Sequence, residues 1–247
     1  MIKKYFKKAE RLLTNVLESQ HQEMEGAAKK IGEAIMNDGI VHLFGCGHSH
    51  ILTEEVFYRA GGLVPIKPIF HEPLMLHEGA IRSSMIERKN SYAKKFMKEQ
   101  DIRKNDIFII VSTSGRNPVP IDTALIAKEK GAFLIGITSK KYSDSEDSRH
   151  HSGKRLYDVV DLAIDNQSSI GDAALSHKLV AEAFSPTSTV VGATILNAVL
   201  AQSIVYMAES DFTPPIFLSG NLAGSDEHNQ ALVEKYQERI PLLVEGL

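Results

Sequence analysis

The sequence lacks features that several classes of protein require. It contains a single cysteine, Cys46, so no internal disulfide can form, and this usage suits a reducing compartment. Its 28 basic and 31 acidic residues give a net charge of −3, which argues against nucleic acid or a membrane surface as a partner. No run approaches the roughly 18 consecutive apolar residues of a membrane span. The basic N-terminus lacks the apolar stretch and cleavage site of a signal peptide, so we expect a cytoplasmic protein.

Two common phosphate-binding signatures are also incomplete. A P-loop needs Gly-Lys-Ser/Thr, which is absent from the chain. A dinucleotide fingerprint needs a third glycine where this chain has His50, and this disfavours an NAD enzyme. His48, His50, His150 and His151 could be metal ligands, but no strong metal-site spacing is present. We therefore expect neither a metal nor a cofactor.

Apolar residues make up 43% of the 247-residue chain, which is enough for a substantial core in one α/β domain. The periodicity predicts strands at residues 40–44, 63–66, 107–111, 132–138 and 159–164. It predicts helices at residues 2–37 (one helix or two, with a face that packs on a second subunit), 51–60, 87–99, 118–130, 187–209 and 226–239. Residues 139–157 are polar and predict an exposed loop.

The alternation of strands and helices predicts parallel strands joined by right-handed crossovers, in a three-layer α/β/α sandwich. We expect one domain over residues 1–247. It comprises an N-terminal helical extension at residues 1–37, a core at residues 38–210 and a C-terminal extension at residues 211–247.

Three short segments rich in small polar residues are the candidate site: residues 45–50 (loop A), 112–117 (loop B) and 185–189 (loop C). Loops A and B follow predicted strands, so they should lie at the carboxyl edge of the sheet, where ligands bind. Loop C opens a predicted helix, where backbone N–H groups favour an anion. Hydroxyls donate hydrogen bonds to phosphate oxygens, and glycines allow close approach. The candidate ligands of a phosphate are Gly47, His48, Ser49, Ser112, Thr113, Ser114, Gly115, Asn117, Ser185, Thr187, Ser188 and Thr189.

Each loop taken alone has a structural explanation, because serine and threonine are ordinary helix N-caps. Loops A and B taken together favour phosphate binding, since both follow strands of one parallel sheet.

The loops resemble those of sugar isomerase (SIS) domains. Gly-Cys-Gly-His-Ser at residues 45–49 is similar to the first SIS phosphate loop, and Val-Ser-Thr-Ser-Gly at 111–115 is similar to the Ser-x-Ser-Gly signature. Loop C is similar in placement to a third polar loop, and Asn117 stands where the family often has a hydroxyl. The resemblance covers residues 30–210. It implies a five-stranded parallel sheet, a sugar-phosphate ligand, and a homodimer or homotetramer with shared sites.

The nearest enzymes by this resemblance are phosphoheptose isomerases, and stand-alone bacterial SIS proteins of unknown reaction are at least as close. Aldose–ketose isomerisation needs a base and an acid. Phosphoheptose isomerases take a glutamate from the helix after the first loop and a histidine from near the C-terminus. Glu54 and Glu55 lie about one turn early on that helix, and Arg59 occupies the expected acidic position. His228 is the candidate for the histidine.

His77 and Glu78 form a second candidate acid–base pair, because they lie beside Gly79 in an irregular stretch where sites are often built. The alternative for this pair is a solvated loop, and for Glu55 and His228 it is a solvated helix face. Cys46 is a weak candidate nucleophile, since no oriented base can be named for it.

Two functions remain open from the sequence. The first is a sugar-phosphate isomerase or a related enzyme such as an ether-cleaving lyase. The second is a non-catalytic sugar-phosphate sensor, since SIS modules also serve transcription regulators that carry a helix-turn-helix domain. Residues 1–37 contain no recognition helix, which favours the enzyme.

Overall fold

A five-stranded parallel sheet forms the middle layer of the protein. The computed structural model describes residues 1–245. The sheet strands run in the order β2-β1-β3-β4-β5, and a separate antiparallel hairpin pairs β6 with β7. The strands are β1 (Val41–Gly45), β2 (Ile66–Pro68), β3 (Ile107–Val111), β4 (Phe133–Thr138), β5 (Leu162–Asp165), β6 (Leu175–His177) and β7 (Val180–Phe184). The predicted α/β sandwich with five parallel strands is confirmed.

Helices cover both faces of this sheet. They are α1 (Ile2–Met36), α2 (Ile51–Glu55), α3 (Ala80–Glu87), α4 (Lys94–Met97), α5 (Pro118–Glu129), α6 (Lys140–Asp144), α7 (Ser188–Glu209) and α8 (Ser225–Tyr236). Single 3₁₀ turns lie at Gly47–His50, Glu72–Leu74, Leu76–Glu78, Leu156–Asp158, Ile170–Asp172 and Pro241–Leu243.

Strand alternation divides the core between the two faces of the sheet. Ile107 and Ile109 of β3 point into the cluster formed with α1 and α7. Phe108 and Ile110 point into the opposite cluster, which packs against α4 and α5. Because both faces are covered, all five residues of β3 are buried, which explains its uninterrupted apolar run.

The two long helices α1 and α7 pack against each other over one face of the sheet. Helix α1 is continuous over 35 residues. Gly32 lies at the crossing, where an added Cβ would sit 2.6 Å from the Tyr206 ring. Among residues 1–245, only α7 is long and apolar enough to pass a length-and-composition test for a membrane span, and 44% of the tested window is buried. Its packing against α1 identifies α7 as a core helix.

Several predicted boundaries are wrong for local reasons. Helix α2 ends at Glu55 rather than residue 60, because Tyr58 (φ 46°) and Gly61 (φ 78°) reverse the backbone. The predicted helix at residues 87–99 is replaced by α3 and α4, separated by a turn at Ser91 (φ 63°). Leu63 forms an antiparallel bridge with Ile216, so β2 begins only at Ile66.

Two further segments differ from expectation. The hairpin of β6 and β7 was not predicted, and it is largely exposed, with Leu179 at its turn 82% accessible. The polar stretch at 139–157, for which the sequence predicts an exposed loop, is partly ordered into a helix. It contains α6, and its His150 is buried.

Candidate functional site

Loops A and B leave the sheet side by side. Strands β1 and β3 are paired in parallel, and Gly45 lies directly opposite Val111 in the register. The next residues, Cys46 and Ser112, therefore start the two loops at the same level of the carboxyl edge. The structure thus places the two predicted phosphate loops next to each other.

Loop A turns back on the end of β1. A Cβ atom at Gly45 would lie 2.6 Å from the carbonyl oxygen of Ser49, so only glycine allows this close return. Gly47 has a φ of 55°, in the left-handed region. The His50 ring bonds the Gly47 carbonyl through Nδ1, and its Nε2 lies 3.6 Å from Glu54. His50 therefore fixes the shape of loop A.

Loop B is supported from behind by the end of β4 and by α6. Gly115 has a φ of 59°, and an added Cβ would lie 2.6 Å from Thr138 Oγ1 and 2.7 Å from Ser143 Oγ. The Thr113 carbonyl accepts the Ser139 N–H at 2.9 Å, and the Ser114 carbonyl accepts the Ser143 hydroxyl at 2.7 Å. These bonds occupy the carbonyl oxygens that would repel a phosphate.

Three of the candidate hydroxyls in loops A and B remain available to a ligand. Ser49, Thr113 and Ser114 are half-buried, and their side chains make no hydrogen bond with any part of the chain that the structure describes. Ser112, by contrast, accepts the Gly115 N–H at 3.3 Å and shapes the turn. Ser49, Thr113 and Ser114 thus have unused hydrogen-bonding capacity.

Both ends of the Asn117 side-chain amide bind residues outside the three loops. Its Nδ2 donates to Glu87 Oε1 at 2.9 Å, and its Oδ1 accepts Arg149 Nη1 at 2.9 Å. Burial raises the pKa of Glu87, although the Asn117 hydrogen bond and the charges of Arg88 and Arg149 act in the opposite direction. Sequence reasoning missed Glu87, because nothing near it in the chain indicates a partner 30 residues away.

Loop C already holds a carboxylate. Asp172 Oδ1 accepts the N–H groups of Thr187 and Ser188, both at 3.1 Å, and Asp172 Oδ2 accepts the Ser188 hydroxyl at 2.5 Å. This carboxylate takes the position that favours an anion at the start of α7. Ser185 (φ 66°) bonds Ala174 through its carbonyl, and Thr189 is exposed.

Loop C nevertheless lies on the same side of the fold as loop A. Gly192, one turn into α7, packs against Leu52 of α2, where an added Cβ would approach Leu52 Cδ1 to 2.5 Å. Helix α2 follows loop A directly.

The predicted acid–base residues occupy two different surroundings. The turn that carries His77 and Glu78 lies beside loop A, since Leu76 would be 3.8 Å from a Cβ at Gly47. His77 Nε2 is 3.9 Å from Glu78 Oε1, and both side chains are exposed.

Glu55 and His228 are both engaged elsewhere. Glu55 Oε1 accepts Arg59 Nη1 at 2.6 Å and Asn197 Nδ2 at 3.4 Å. His228 Nε2 donates to the Ile216 carbonyl at 2.9 Å. Arg59, which stands where an acid was expected, thus forms an ion pair with one of the candidates.

Cys46 is a poor nucleophile in this setting. Burial, followed by the charge of Glu87, raises the pKa of the Cys46 thiol well above its usual value. The thiol is therefore protonated at neutral pH.

Two adjoining cavities meet at Tyr58 and Ala60, beyond the end of α2. One, of about 530 Å³, is lined by residues that include Tyr58, Phe217 and Asp226. The other, of about 460 Å³, is lined by residues that include Glu55 and Arg59. Neither cavity is lined by a residue of loop B.

A five-stranded parallel sheet of this order, with paired serine- and glycine-containing loops at its carboxyl edge, defines an α/β sandwich of the sugar isomerase type. The sequence model of the SIS domain matches residues 4–139, more than half of the chain. The protein therefore belongs to the SIS domain family.

Comparisons of sequence and of structure find similar proteins. The chain is 63% identical over 244 residues to a UPF0309 protein of Geobacillus sp. (strain WCH70), with 99% of each chain covered. A phosphoheptose isomerase from Neisseria gonorrhoeae superposes with a TM-score of 0.53 at 14% identity, covering 84% of this chain and 97% of that one. The sugar isomerase domain of an RpiR transcription factor from Sphaerobacter thermophilus superposes with a TM-score of 0.52 at 14% identity, covering 96% and 98%.

Proposed function

We propose that the protein binds a sugar phosphate with the phosphoryl group between loops A and B, and that it isomerises this ligand or catalyses a related sugar-phosphate reaction. The observation that carries the proposal is the pairing of Gly45 with Val111. It brings two hydroxyl-bearing loops to one edge, where Ser49, Thr113 and Ser114 have hydrogen-bonding capacity to spare. A phosphate needs such an array of donors on a backbone that allows close approach.

His77 and Glu78 are the best placed of the candidate acid–base residues, because their turn adjoins loop A. In this assignment one of the pair removes a proton from the carbon next to the carbonyl, and the other donates a proton to the carbonyl oxygen. Glu55 and His228 fit the role less well, since Arg59 and the Ile216 carbonyl already occupy them.

A homodimer or homotetramer in the cytoplasm is part of the proposal. Helix α7 is apolar over most of its length, but only 44% of its most apolar window is buried within one chain. A second copy that covers the rest of α7 would also enclose a site that is open in the single chain.

The second candidate is a sugar-phosphate sensor without catalysis. The likeness to the sugar isomerase domain of a transcription factor, over almost the full length of both chains, favours it. The two candidates share the ligand and differ in turnover. NMR of the best ligand in D₂O separates them, since an isomerase interconverts aldose and ketose whereas a sensor leaves the ligand unchanged.

A thermal-shift screen with matched pairs of sugars and sugar phosphates tests the shared part. The phosphates should raise the melting temperature and the parent sugars should not. Ser114→Ala should weaken binding of the best phosphate about tenfold or more, because a hydrogen bond to a charged group is lost. Ser210→Ala, at the other end of α7, is the control. Equal shifts with sugars and their phosphates, or unchanged affinity in Ser114→Ala, would overturn the proposal.

A further inference from the structure

The polar segment at residues 146–156, here called the strap, folds against loop B. The Arg149 N–H donates to the Arg116 carbonyl at 2.9 Å, and the Leu156 N–H donates to the Gly115 carbonyl at 2.8 Å. In return, Arg116 Nε donates to the Asp147 carbonyl at 2.8 Å. The strap and loop B therefore run side by side.

Side chains beyond loop B hold the strap in place. His150 is buried, with its Nε2 3.1 Å from Asp122 Oδ1 on α5 and its Nδ1 2.7 Å from Ser152 Oγ. The His151 N–H donates to Asn90 Oδ1 at 2.9 Å. These contacts give the side chains of the strap a defined position relative to the proposed phosphate site.

Two further arginines flank, in the chain, the bridge that runs from Glu87 through Asn117 to Arg149. Arg149 belongs to the bridge, at 2.9 Å from Asn117 Oδ1. Arg88 follows Glu87 in the chain, and Arg116 precedes Asn117. One arginine thus comes from the end of α3, one from loop B and one from the strap.

Two of the three arginines, Arg88 and Arg149, form no ion pair with any described residue. Arg149 donates to an amide oxygen, and Arg88 has no hydrogen bond or ion pair with any described residue. Arg116 is largely buried, and its nearest carboxylate, the exposed Glu146, is 3.5 Å away. Burial, followed by the charges of Arg116 and Arg88, lowers the pKa of Arg149, so the three guanidinium groups act on one another.

Arg155, also in the strap, has hydrogen-bond partners and a carboxylate that offset its positive charge. Arg155 donates to the carbonyls of Ser143 and Glu146 and lies 3.8 Å from the Asp144 carboxylate. Arg88 and Arg149 lack such a set of partners, whereas Arg116 has a comparable one in the Asp147 carbonyl and the Glu146 carboxylate.

We propose that Arg88, Arg116 and Arg149 bind a second anionic group, a carboxylate or a second phosphate, on the sugar phosphate held between loops A and B. Guanidinium groups bind both anions through paired hydrogen bonds. The substrate class is then a sugar phosphate with two anionic groups. This inference rests on the proposed function and adds a specificity to it.

Three probes test the inference by isothermal titration calorimetry: glucose 6-phosphate, glucose 1,6-bisphosphate and 6-phosphogluconate. At least one of the two doubly anionic probes should bind about tenfold tighter than glucose 6-phosphate, because it gains charge-assisted hydrogen bonds. The preferred probe distinguishes a phosphate from a carboxylate. Arg88→Gln and Arg149→Gln should remove most of this advantage and leave affinity for glucose 6-phosphate within about threefold.

Arg103→Gln is the matched control. It removes the same charge from a side chain paired with Asp101, outside the cluster, and the advantage should persist. If glucose 6-phosphate binds through Ser114 but a second anion adds nothing, the inference fails and the proposed function stands. Equal losses for all three probes in the arginine variants would also overturn it, since the arginines would then serve the first phosphate. If neither these probes nor the wider sugar-phosphate panel bind, both proposals fail.

Discussion

His42 is the most deeply buried titratable side chain of the sheet, and it lies away from the candidate site, near the amino ends of the strands. Its Nε2 is 3.0 Å from Asp106 Oδ2, within a cluster where Asp106 also accepts the Ile40 N–H at 3.0 Å, the Arg103 N–H at 2.8 Å and Arg239 Nη2 at 2.7 Å. Burial opposes ionisation of Asp106, but these hydrogen bonds outweigh it and lower the pKa of Asp106. The cluster ties Arg239, near the C-terminus, to the core.

The pKa of His42 predicts how stability depends on pH. Burial lowers that pKa below 6.5, against the opposing effect of Asp106. The folded state therefore favours neutral His42, so its contribution to stability is complete above pH 6.5 and is lost as pH falls towards the folded-state value. The slope is at most about 1.4 kcal/mol per pH unit for one proton.

Urea unfolding between pH 7.5 and 5.5 measures this effect. The wild type should lose more unfolding free energy over that interval than His42→Gln, in which the amide can still donate to Asp106 but cannot titrate. Parallel curves for the two proteins would show that His42 does not contribute.

At the scale of elements, the crossing of α1 and α7 depends on a small residue. Gly32 leaves no room for a side chain, because Tyr206 Cδ1 would lie 2.6 Å from an added Cβ. Gly32→Val should destabilise the protein by about 1–3 kcal/mol through overpacking. The measurement is the midpoint of chemical unfolding. Gly153→Ala is not a suitable control, because Gly153 has a φ of 72°, where any side chain would be strained.

Gly220→Val provides a better comparison, since nothing lies within 4 Å of an added Cβ there and its φ is not in the left-handed region. The expectation for it is a change within about 0.5 kcal/mol. Equal unfolding midpoints for Gly32→Val and the wild type would mean that the two helices can separate at no cost.

The elements that the sequence predicts well are those determined by local pattern. The apolar run at 107–111 and the turn that follows it fix β3, loop B and the start of α5, as the structure confirms. The strand-edge rule placed loops A and B together because both follow parallel strands. Boundaries such as the end of α2 escaped prediction, because a positive φ at Tyr58 has no sequence signature.

Features that depend on distant partners could not be predicted. Asp172 caps α7 and is 15 residues from Thr187 in the chain. Glu87 and Asn117 are hydrogen-bonded although 30 residues separate them, and His150 and Asp122 are 28 residues apart. In each case a polar side chain finds its partner only after the chain has folded. The roles of the individual site residues remain predictions.

At the scale of the whole molecule, the amino and carboxyl ends of the sheet strands carry different groups of residues. The amino end fastens the C-terminal segment through Asp106 and Arg239. The carboxyl end gathers the loops, the strap and the arginine cluster at one edge. Stability and the proposed ligand site thus belong to opposite edges, and substitutions at one edge should leave the other edge unaffected.

Amide chemical shifts during a titration with inorganic phosphate test the central claim most directly, because this probe is independent of the identity of the sugar. In ¹⁵N-labelled, deuterated protein, the largest shifts should fall in loops A and B, and Ser114→Ala should reduce them. Shifts confined to residues 101–106 at the opposite edge, or an unchanged response in Ser114→Ala, would contradict the account.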